Sequence, residues 1–209
     1  MSGPLRERLT VVRSRGVQGS GYLLTPTLVL TAAHLVAGTD EARVTVLGGA
    51  GEVGCRVAGR WYENTSGTDV AVLVAPRPLA DESAFARGRP NLWAMLSSLA
   101  PVPDCQAIGF PYAQRDATGG LDTEQLTGTY KPGSGLLGGR DVLAVDGTPP
   151  APRPDGLSPW AGMSGAAVFA GDVLIGVVTT DPTGWQRRPG RTARAGPHRR
   201  PGRDRRTVP

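Results

Sequence analysis

The feature that most limits what this chain can fold into is a series of short apolar runs, each ended by turn residues. Glycine and proline supply 30 and 19 of the 209 residues, whereas aromatic residues make up only 5%. Short, turn-bounded runs of this kind favour β-strands over helices. Six of them lie in the first part of the chain and predict one small barrel: Leu9–Val12, Gly21–Leu24, Leu28–Thr31, Ala42–Leu47, Cys55–Tyr62 and Val70–Ala75.

A stretch rich in Pro, Ala and Arg, Pro76–Pro103, interrupts the pattern, and within it Asn91–Leu99 fits either a helical turn or a connector. The predicted fold is all-β, with two packed six-stranded antiparallel barrels, the second lacking its last strand. We place the N-terminal barrel at 1–90, a linker at 91–103 and the C-terminal barrel at 104–185. Five strand-like runs fall in the second barrel: Cys105–Phe110, Thr123–Tyr130, Asp141–Val145, Gly165–Ala170 and Val173–Thr180.

The net charge of +5 is distributed unevenly along the chain. Nine of the 23 basic residues and one of the 18 acidic residues lie in 186–209, so this tail carries +8 and residues 1–185 carry −3. The tail has almost no apolar residues to bury, which predicts disorder. Because the remaining chain is not basic overall, a nucleic acid is not the expected partner.

Compartment and redox state are predicted from what the sequence lacks. The N-terminal residues have no apolar stretch typical of a secretory signal, and no run of 18 apolar residues could span a bilayer. We therefore expect a soluble, cytoplasmic protein. Its two cysteines, Cys55 and Cys105, are expected to be free thiols.

His34 is the first candidate for chemistry. It ends the segment GSGYLLTPTLVLTAAHLV, in which two apolar strands flank a Thr-Pro turn, and the other histidine, His198, lies in the tail. A histidine at a strand end is more often structural than catalytic when taken alone. Its interpretation depends on the two candidates that follow.

Ser164 lies in the segment WAGMSGAAVF, between Gly162 and Gly165 and before an apolar strand. The backbone N–H groups of Gly162, Met163 and Ser164 could converge on one oxygen, which is the geometry of an oxyanion hole. The alternative is an ordinary turn before a strand.

Asp69 opens the segment DVAVLVAP, so its carboxylate starts a strand whose other residues are apolar. A carboxylate there would be partly buried and would need a partner. The alternative is a turn residue that bonds local backbone N–H groups. Asp40, which is close to His34 in sequence, is a weaker competitor for the same role.

Four segments together resemble the trypsin/chymotrypsin-like serine peptidases, including their bacterial trypsin-like domains. They are TAAH at 31–34, TDVAVL at 68–73, GMSGAAVF at 162–169 and GVVTT at 176–180. The resemblance covers roughly 5–183 and implies a chymotrypsin-like pair of barrels. It implies that His34 is the general base, that Asp69 orients it, that Ser164 is the nucleophile, and that backbone N–H groups beside Ser164 bind the oxyanion.

The same resemblance places a specificity pocket. Ser158 would lie at its floor, where it supplies no charge to select a basic side chain, and Thr179, Thr180 and Asp181 would run beside the substrate backbone. Asp181 falls where many members have glycine, so its side chain either narrows the entrance or favours a small or basic residue.

Other positions depart from the family pattern. Met163 replaces the aspartate of digestive-type members, which argues against a zymogen switch based on that ion pair. Ala166 and Ala167 stand where the family usually has Gly-Pro, a change we expect to be tolerated.

The resulting hypothesis is a serine endopeptidase acting on a protein or peptide substrate, with no cofactor or metal, no specific nucleic acid, and room for a regulatory protein partner. Two alternatives stay open at this point. One is an inactive, protease-like module that binds a protein. The other is an adaptor whose arginine-rich tail attaches to nucleic acid or a membrane surface.

Overall fold

The computed structural model describes residues 6–49, 51–63, 67–86, 92–114, 118, 120–147, 156, 158–181 and 192–196. Six strands form the first sheet, which closes into a barrel in the order β1-β2-β3-β6-β5-β4. These are β1 (Leu9–Ser14), β2 (Val17–Thr25), β3 (Leu28–Thr31), β4 (Glu41–Val46), β5 (Glu52–Glu63) and β6 (Thr68–Val74). Each coincides with one of the predicted apolar runs, although β2 begins at Val17 rather than Gly21.

The second sheet is also almost entirely antiparallel. Its strands are β7 (Leu92–Trp93), β8 (Val102–Gly109), β9 (Glu124–Lys131), β10 (Asp141–Val145), β11 (Ala167–Ala170), β12 (Val173–Thr180) and β13 (Thr192–Gly196). The order is β11-β8-β9-β10-β13-β12-β7, and the sheet curls until β11 also pairs with β12. A single α-helix, α1 (Ser83–Ala86), is found in the described chain. The predicted all-β, two-barrel architecture is confirmed.

The end of the second sheet differs from the sequence prediction. Thr192–Gly196, in the predicted disordered tail, forms β13 and pairs antiparallel with both β10 and β12. The strand expected to be absent is therefore present. Without β13, the edges of β10 and β12 would leave backbone N–H and C=O groups unpaired. A segment that bonds these groups is favoured even when it has few apolar side chains. The other residues of 186–209 lie outside the described part of the chain.

The linker is also partly absorbed into the second sheet. Within the predicted connector, Leu92–Trp93 forms β7 and pairs in parallel with Val173 and Leu174 of β12. Of the segment Asn91–Leu99, the structure describes residues 92–99, and these do not form the helical turn that was the alternative prediction.

Apolar side chains fill three places: the interior of each barrel and the seam between the barrels. The seam joins residues of β1, β2, β3 and β6 to residues of β11 and β12. At its centre the rings of Tyr22 and Phe169 meet edge to face, with centroids 5.2 Å apart. Such a packed seam fixes one barrel against the other, which matters because the candidate residues come from both.

Candidate active site

His34 and Asp69 are brought together by strand pairing. His34 lies in a 3-10 turn, Ala33–Val36, directly after β3, and Asp69 is the second residue of β6, which pairs antiparallel with β3. Asp69 Oδ2 is 2.6 Å from His34 Nδ1. Asp69 Oδ1 also accepts the backbone N–H of His34 at 2.9 Å. One carboxylate thus holds both the ring and the backbone of the same histidine.

This two-point contact has a chemical consequence. A carboxylate accepts only, so the proton of a neutral imidazole lies on Nδ1 and Nε2 is left as a base. The Asp69 side chain is 10% exposed and that of His34 is 34% exposed, so the contact is shielded while the ring still reaches solvent. Asp40 does not compete for His34, because it is 92% exposed and lies 3.6 Å from Arg60.

The loop carrying Ser164 is bonded to both barrels. The Ser164 carbonyl accepts the backbone N–H of Ser20 in β2 at 2.7 Å, and the Gly165 N–H donates to Val178 of β12 at 2.7 Å. A Cβ on Gly165 would lie only 2.4 Å from Thr31 Oγ1 and 3.1 Å from the Ala32 nitrogen. The loop that carries Ser164 therefore packs against the segment that leads into His34.

The Ser164 hydroxyl itself points elsewhere in this structure. Its Oγ donates to the Thr179 carbonyl at 3.1 Å. Within the described residues this is its hydrogen-bond partner, and no bond joins it to the imidazole of His34. A side-chain rotation about χ1 separates this arrangement from one in which Oγ faces the base.

The backbone beside Ser164 narrows the predicted oxyanion site. Gly162 has φ +100° and Gly165 has φ +89°, conformations that glycine adopts without strain. The Met163 N–H donates to the Trp160 carbonyl at 2.9 Å, so it is already engaged. In the described structure the N–H groups of Gly162 and Ser164 have no acceptor, so both are free to bind an oxygen of a ligand.

Ser20 is a positioning residue that the sequence analysis missed. Its buried hydroxyl donates to the Gly162 carbonyl at 2.7 Å and accepts the Phe110 N–H at 2.9 Å. Its backbone also bonds Ser164, as described above. The small residues of GSG at 19–21 were the available signal, since only small side chains fit a strand that runs this close to another loop.

We expect Ser20→Ala to lower both stability and turnover. Removing the hydroxyl leaves the Gly162 carbonyl and the Phe110 N–H without their buried partner, which costs about 1–3 kcal/mol in the free energy of unfolding. If the N–H of Gly162 binds the oxyanion, as the family resemblance implies, kcat should fall more than KM rises. Urea unfolding and peptide hydrolysis measure the two effects, and Ser20→Cys, a near-isosteric substitution that keeps a weak donor, should recover part of both.

The predicted specificity residues also lie together. The Ser158 hydroxyl donates to Asp181 Oδ2 at 2.6 Å and accepts the Trp160 N–H at 3.1 Å. Thr179 is buried, whereas Thr180 and Asp181 are half-buried at the end of β12. The residue predicted at the pocket floor, Ser158, is thus in direct contact with the carboxylate of the residue predicted at the entrance, Asp181.

Neither cysteine provides an alternative nucleophile. Both are buried free thiols. Burial raises the pKa of the Cys55 thiol to about 11 and also raises that of Cys105. Since the thiolate is the reactive form, both groups are unreactive at neutral pH.

The sequence matches the family described as the trypsin-like peptidase domain over residues 19–177. The chain belongs to this family. The resemblance found from the TAAH and GMSGAAVF segments is therefore confirmed, and the matched range of this trypsin-like domain includes His34, Asp69 and Ser164. No curated protein sequence gives a significant match.

Solved structures agree with the family assignment. The trypsin-like domain superposes on the inactive form of the Rv3671c protease with a TM-score of 0.56 and 20% identity, covering 91% of this chain and 84% of that chain. The active form of the Rv3671c protease from M. tuberculosis superposes with a TM-score of 0.55 at 19% identity. The match covers 92% of this chain and 76% of that chain. A Glu endopeptidase matches with a TM-score of 0.62 at 14% identity, covering 92% and 86%. At these identities the likeness establishes the fold.

In the part of the chain that the structure describes, no helix has the length and apolar character needed to cross a membrane.

Proposed function

We propose that this trypsin-like domain is a serine endopeptidase that hydrolyses peptide bonds through Ser164, His34 and Asp69. The observation that carries the proposal is the double contact of Asp69 with His34, next to the loop that holds Ser164. A surface histidine or a turn aspartate would not require this arrangement. It is the one in which a base is held in a fixed tautomer beside a hydroxyl.

In the proposed mechanism, Ser164 Oγ first turns from the Thr179 carbonyl towards His34 Nε2. Nε2 takes the hydroxyl proton while Oγ bonds to the carbonyl carbon of the substrate, and the resulting oxyanion is held by the N–H groups of Gly162 and Ser164. The imidazolium then gives its proton to the leaving nitrogen as the C–N bond breaks. Water, deprotonated by the same imidazole, hydrolyses the acyl-enzyme.

The second candidate is an inactive module that binds protein, and one observation favours it: Ser164 Oγ is bonded to Thr179 and not to His34. Backbone similarity does not distinguish the two, since the active and inactive Rv3671c structures match almost equally. Hydrolysis does distinguish them. Purified wild-type protein should generate new peptide termini from an unfolded protein substrate, detected by mass spectrometry, and Ser164→Ala should generate none; equal product from both would refute the proposal.

We further propose that Asp181 favours a basic side chain immediately before the scissile bond. Its carboxylate stands beside Ser158, where a cationic side chain entering the pocket would meet it. Asp181→Asn keeps the shape and removes the charge. We expect kcat/KM for an Arg or Lys substrate to fall at least about tenfold, and that for a Leu substrate to change by less than about threefold.

Asp146→Asn is the matched control for this prediction, because Asp146 is exposed in a turn of the second barrel and its substitution changes the net charge equally. This variant should keep the preference of the wild type. An unchanged ratio of Arg to Leu cleavage in Asp181→Asn would instead show that the carboxylate only narrows the pocket.

A further inference from the structure

A large, open cavity lies on the first barrel. It has a volume of about 1180 Å³ and is lined by the hairpin that joins β1 to β2, by the starts of β4 and β5, and by Tyr112 of the second barrel. None of the residues proposed for catalysis or for the specificity pocket lines it. It needs an explanation of its own.

The cavity is basic, although most of the chain is not. Its lining includes four arginines, Arg13, Arg15, Arg43 and Arg56, and two glutamates, Glu41 and Glu52, which gives +2. Residues 1–185 as a whole carry −3. A positive site on a negatively charged body attracts anionic groups selectively.

The arrangement of these charges leaves the arginines available to a ligand. Arg13 and Arg43 lie opposite each other on β1 and β4 and share the single carboxylate of Glu52, at 3.3 and 3.2 Å. Their side chains are 42% and 74% exposed, so both retain donors that face solvent. Like charges in directly opposed strand positions are destabilising unless an anion lies between them, and one glutamate neutralises only half of this pair.

Arg15 adds further hydrogen-bond donors. In the hairpin turn, it donates one N–H to the Gly38 carbonyl at 2.9 Å and is otherwise exposed. Gln18 also lines the cavity, but its side-chain nitrogen has almost no exposed surface and therefore offers no donor to a ligand there.

Hydrogen bonds connect the wall of the cavity to the segment that carries Ser164. The Tyr112 hydroxyl accepts the backbone N–H of Gln18 at 3.1 Å, and the Tyr112 N–H donates to Ala161 at 2.8 Å, immediately before Gly162. Two residues after Gln18, Ser20 bonds the Ser164 carbonyl. Ser158 and Asp181 instead bond each other next to the end of β12, and neither lines the cavity. A substrate with one side chain in the specificity pocket would therefore leave Ser164 over β2, towards Tyr112, Gln18 and Arg13.

From this path we infer that the cavity binds an acidic peptide segment, namely the part of the substrate that follows the scissile bond. The inference rests on the proposed peptidase function. Carboxylates of Asp or Glu side chains match the exposed guanidinium forks of Arg13 and Arg43. The domain would then select substrates with acidic residues after the cleavage site.

Binding can be tested without catalysis in the full-length Ser164→Ala protein. The probe is a fluorescent peptide with several Glu residues, compared with the same peptide carrying Gln, and its anisotropy is followed during titration. We expect Arg13→Gln/Arg43→Gln to weaken binding of the Glu peptide at least tenfold. The control is Arg6→Gln/Lys131→Gln, which removes the same charge from two exposed positions outside the cavity and should change binding less than twofold.

The arginine-rich segment 186–209 is present in every variant, so its nonspecific attraction cancels in the comparison. Equal weakening in both double variants, or unchanged binding in the cavity variant, would overturn the inference. So would displacement of the peptide by an equally charged single-stranded oligonucleotide, which would identify a general polyanion site. If wild-type protein hydrolyses peptides but the Glu peptide does not bind, the cavity inference fails alone. If the Glu peptide binds but the wild-type protein hydrolyses no peptide, the peptidase proposal fails, and the cavity is an acidic-peptide site without a role in cleavage.

Discussion

Asp69→Asn should hydrolyse peptides about 10⁴-fold more slowly than the wild type while remaining folded. The carboxylate of Asp69 accepts two hydrogen bonds from His34, one from Nδ1–H and one from the backbone N–H. An amide has a single acceptor oxygen. If that oxygen keeps the backbone bond, the amide NH₂ faces Nδ1 and the ring proton must move to Nε2, which removes the base.

The measurement is kcat for a peptide substrate, with thermal unfolding as the check on folding. Asp40→Asn is the matched control, because Asp40 is the other aspartate close to His34 in sequence but bonds Arg60 at the surface. It should retain nearly full activity. A similar loss in the two variants, or a loss below about tenfold in Asp69→Asn, would show that Asp69 does not orient a catalytic base.

Gly165→Ala should strongly destabilise the domain. The added Cβ would lie 2.0 Å from the Ser20 carbonyl oxygen and 2.4 Å from Thr31 Oγ1, and Thr31 itself donates to that carbonyl. Moving the Ser20 carbonyl would disturb the hydrogen bonds that Ser20 makes to Gly162, Phe110 and Ser164 of the second barrel. Steric overlap adds to the strain of φ +89°, and we expect a loss of about 4 kcal/mol or more in the free energy of unfolding.

Gly171→Ala separates the two causes of this loss. Gly171 also has a positive φ, +57°, but nothing lies within 4 Å of a Cβ placed there. It should lose only about 1–2 kcal/mol, the cost of a left-handed conformation. Urea unfolding followed by tryptophan fluorescence measures both variants. Equal losses would mean that the close packing of the Ser164 loop against the first barrel is not as described.

The parts that the sequence predicted well are those that depend on local pattern. Alternating or continuous apolar runs located all six strands of the first barrel, because a strand buries its side chains at short range in sequence. His34, Asp69 and Ser164 were each ambiguous alone. They became interpretable together through the family resemblance, which implied a fold in which antiparallel pairing places the end of β3 beside the start of β6.

The parts that the sequence did not predict depend on contacts between distant residues. The role of Ser20 arises from bonds to residues 90 and 142 positions away, for which no local pattern exists. β13 was not predicted because its sequence has no apolar periodicity. Its pairing with β10 and β12 uses backbone groups that every residue carries. The basic cavity was hidden for a related reason: Arg13 and Arg43 come together only through the pairing of β1 with β4, and the overall charge of residues 1–185 has the opposite sign.

The central claim is that Ser164 is an activated nucleophile, and labelling by a fluorophosphonate probe tests it most directly. The probe reacts with a serine whose hydroxyl is deprotonated by a neighbouring base, so Ser164 is labelled only if its Oγ turns from the Thr179 carbonyl to His34. Peptide mapping should find the adduct on Ser164 in the wild type and its loss in both Ser164→Ala and His34→Ala. A folded wild-type protein that takes up no probe would contradict the account and leave a trypsin-like fold used for binding alone.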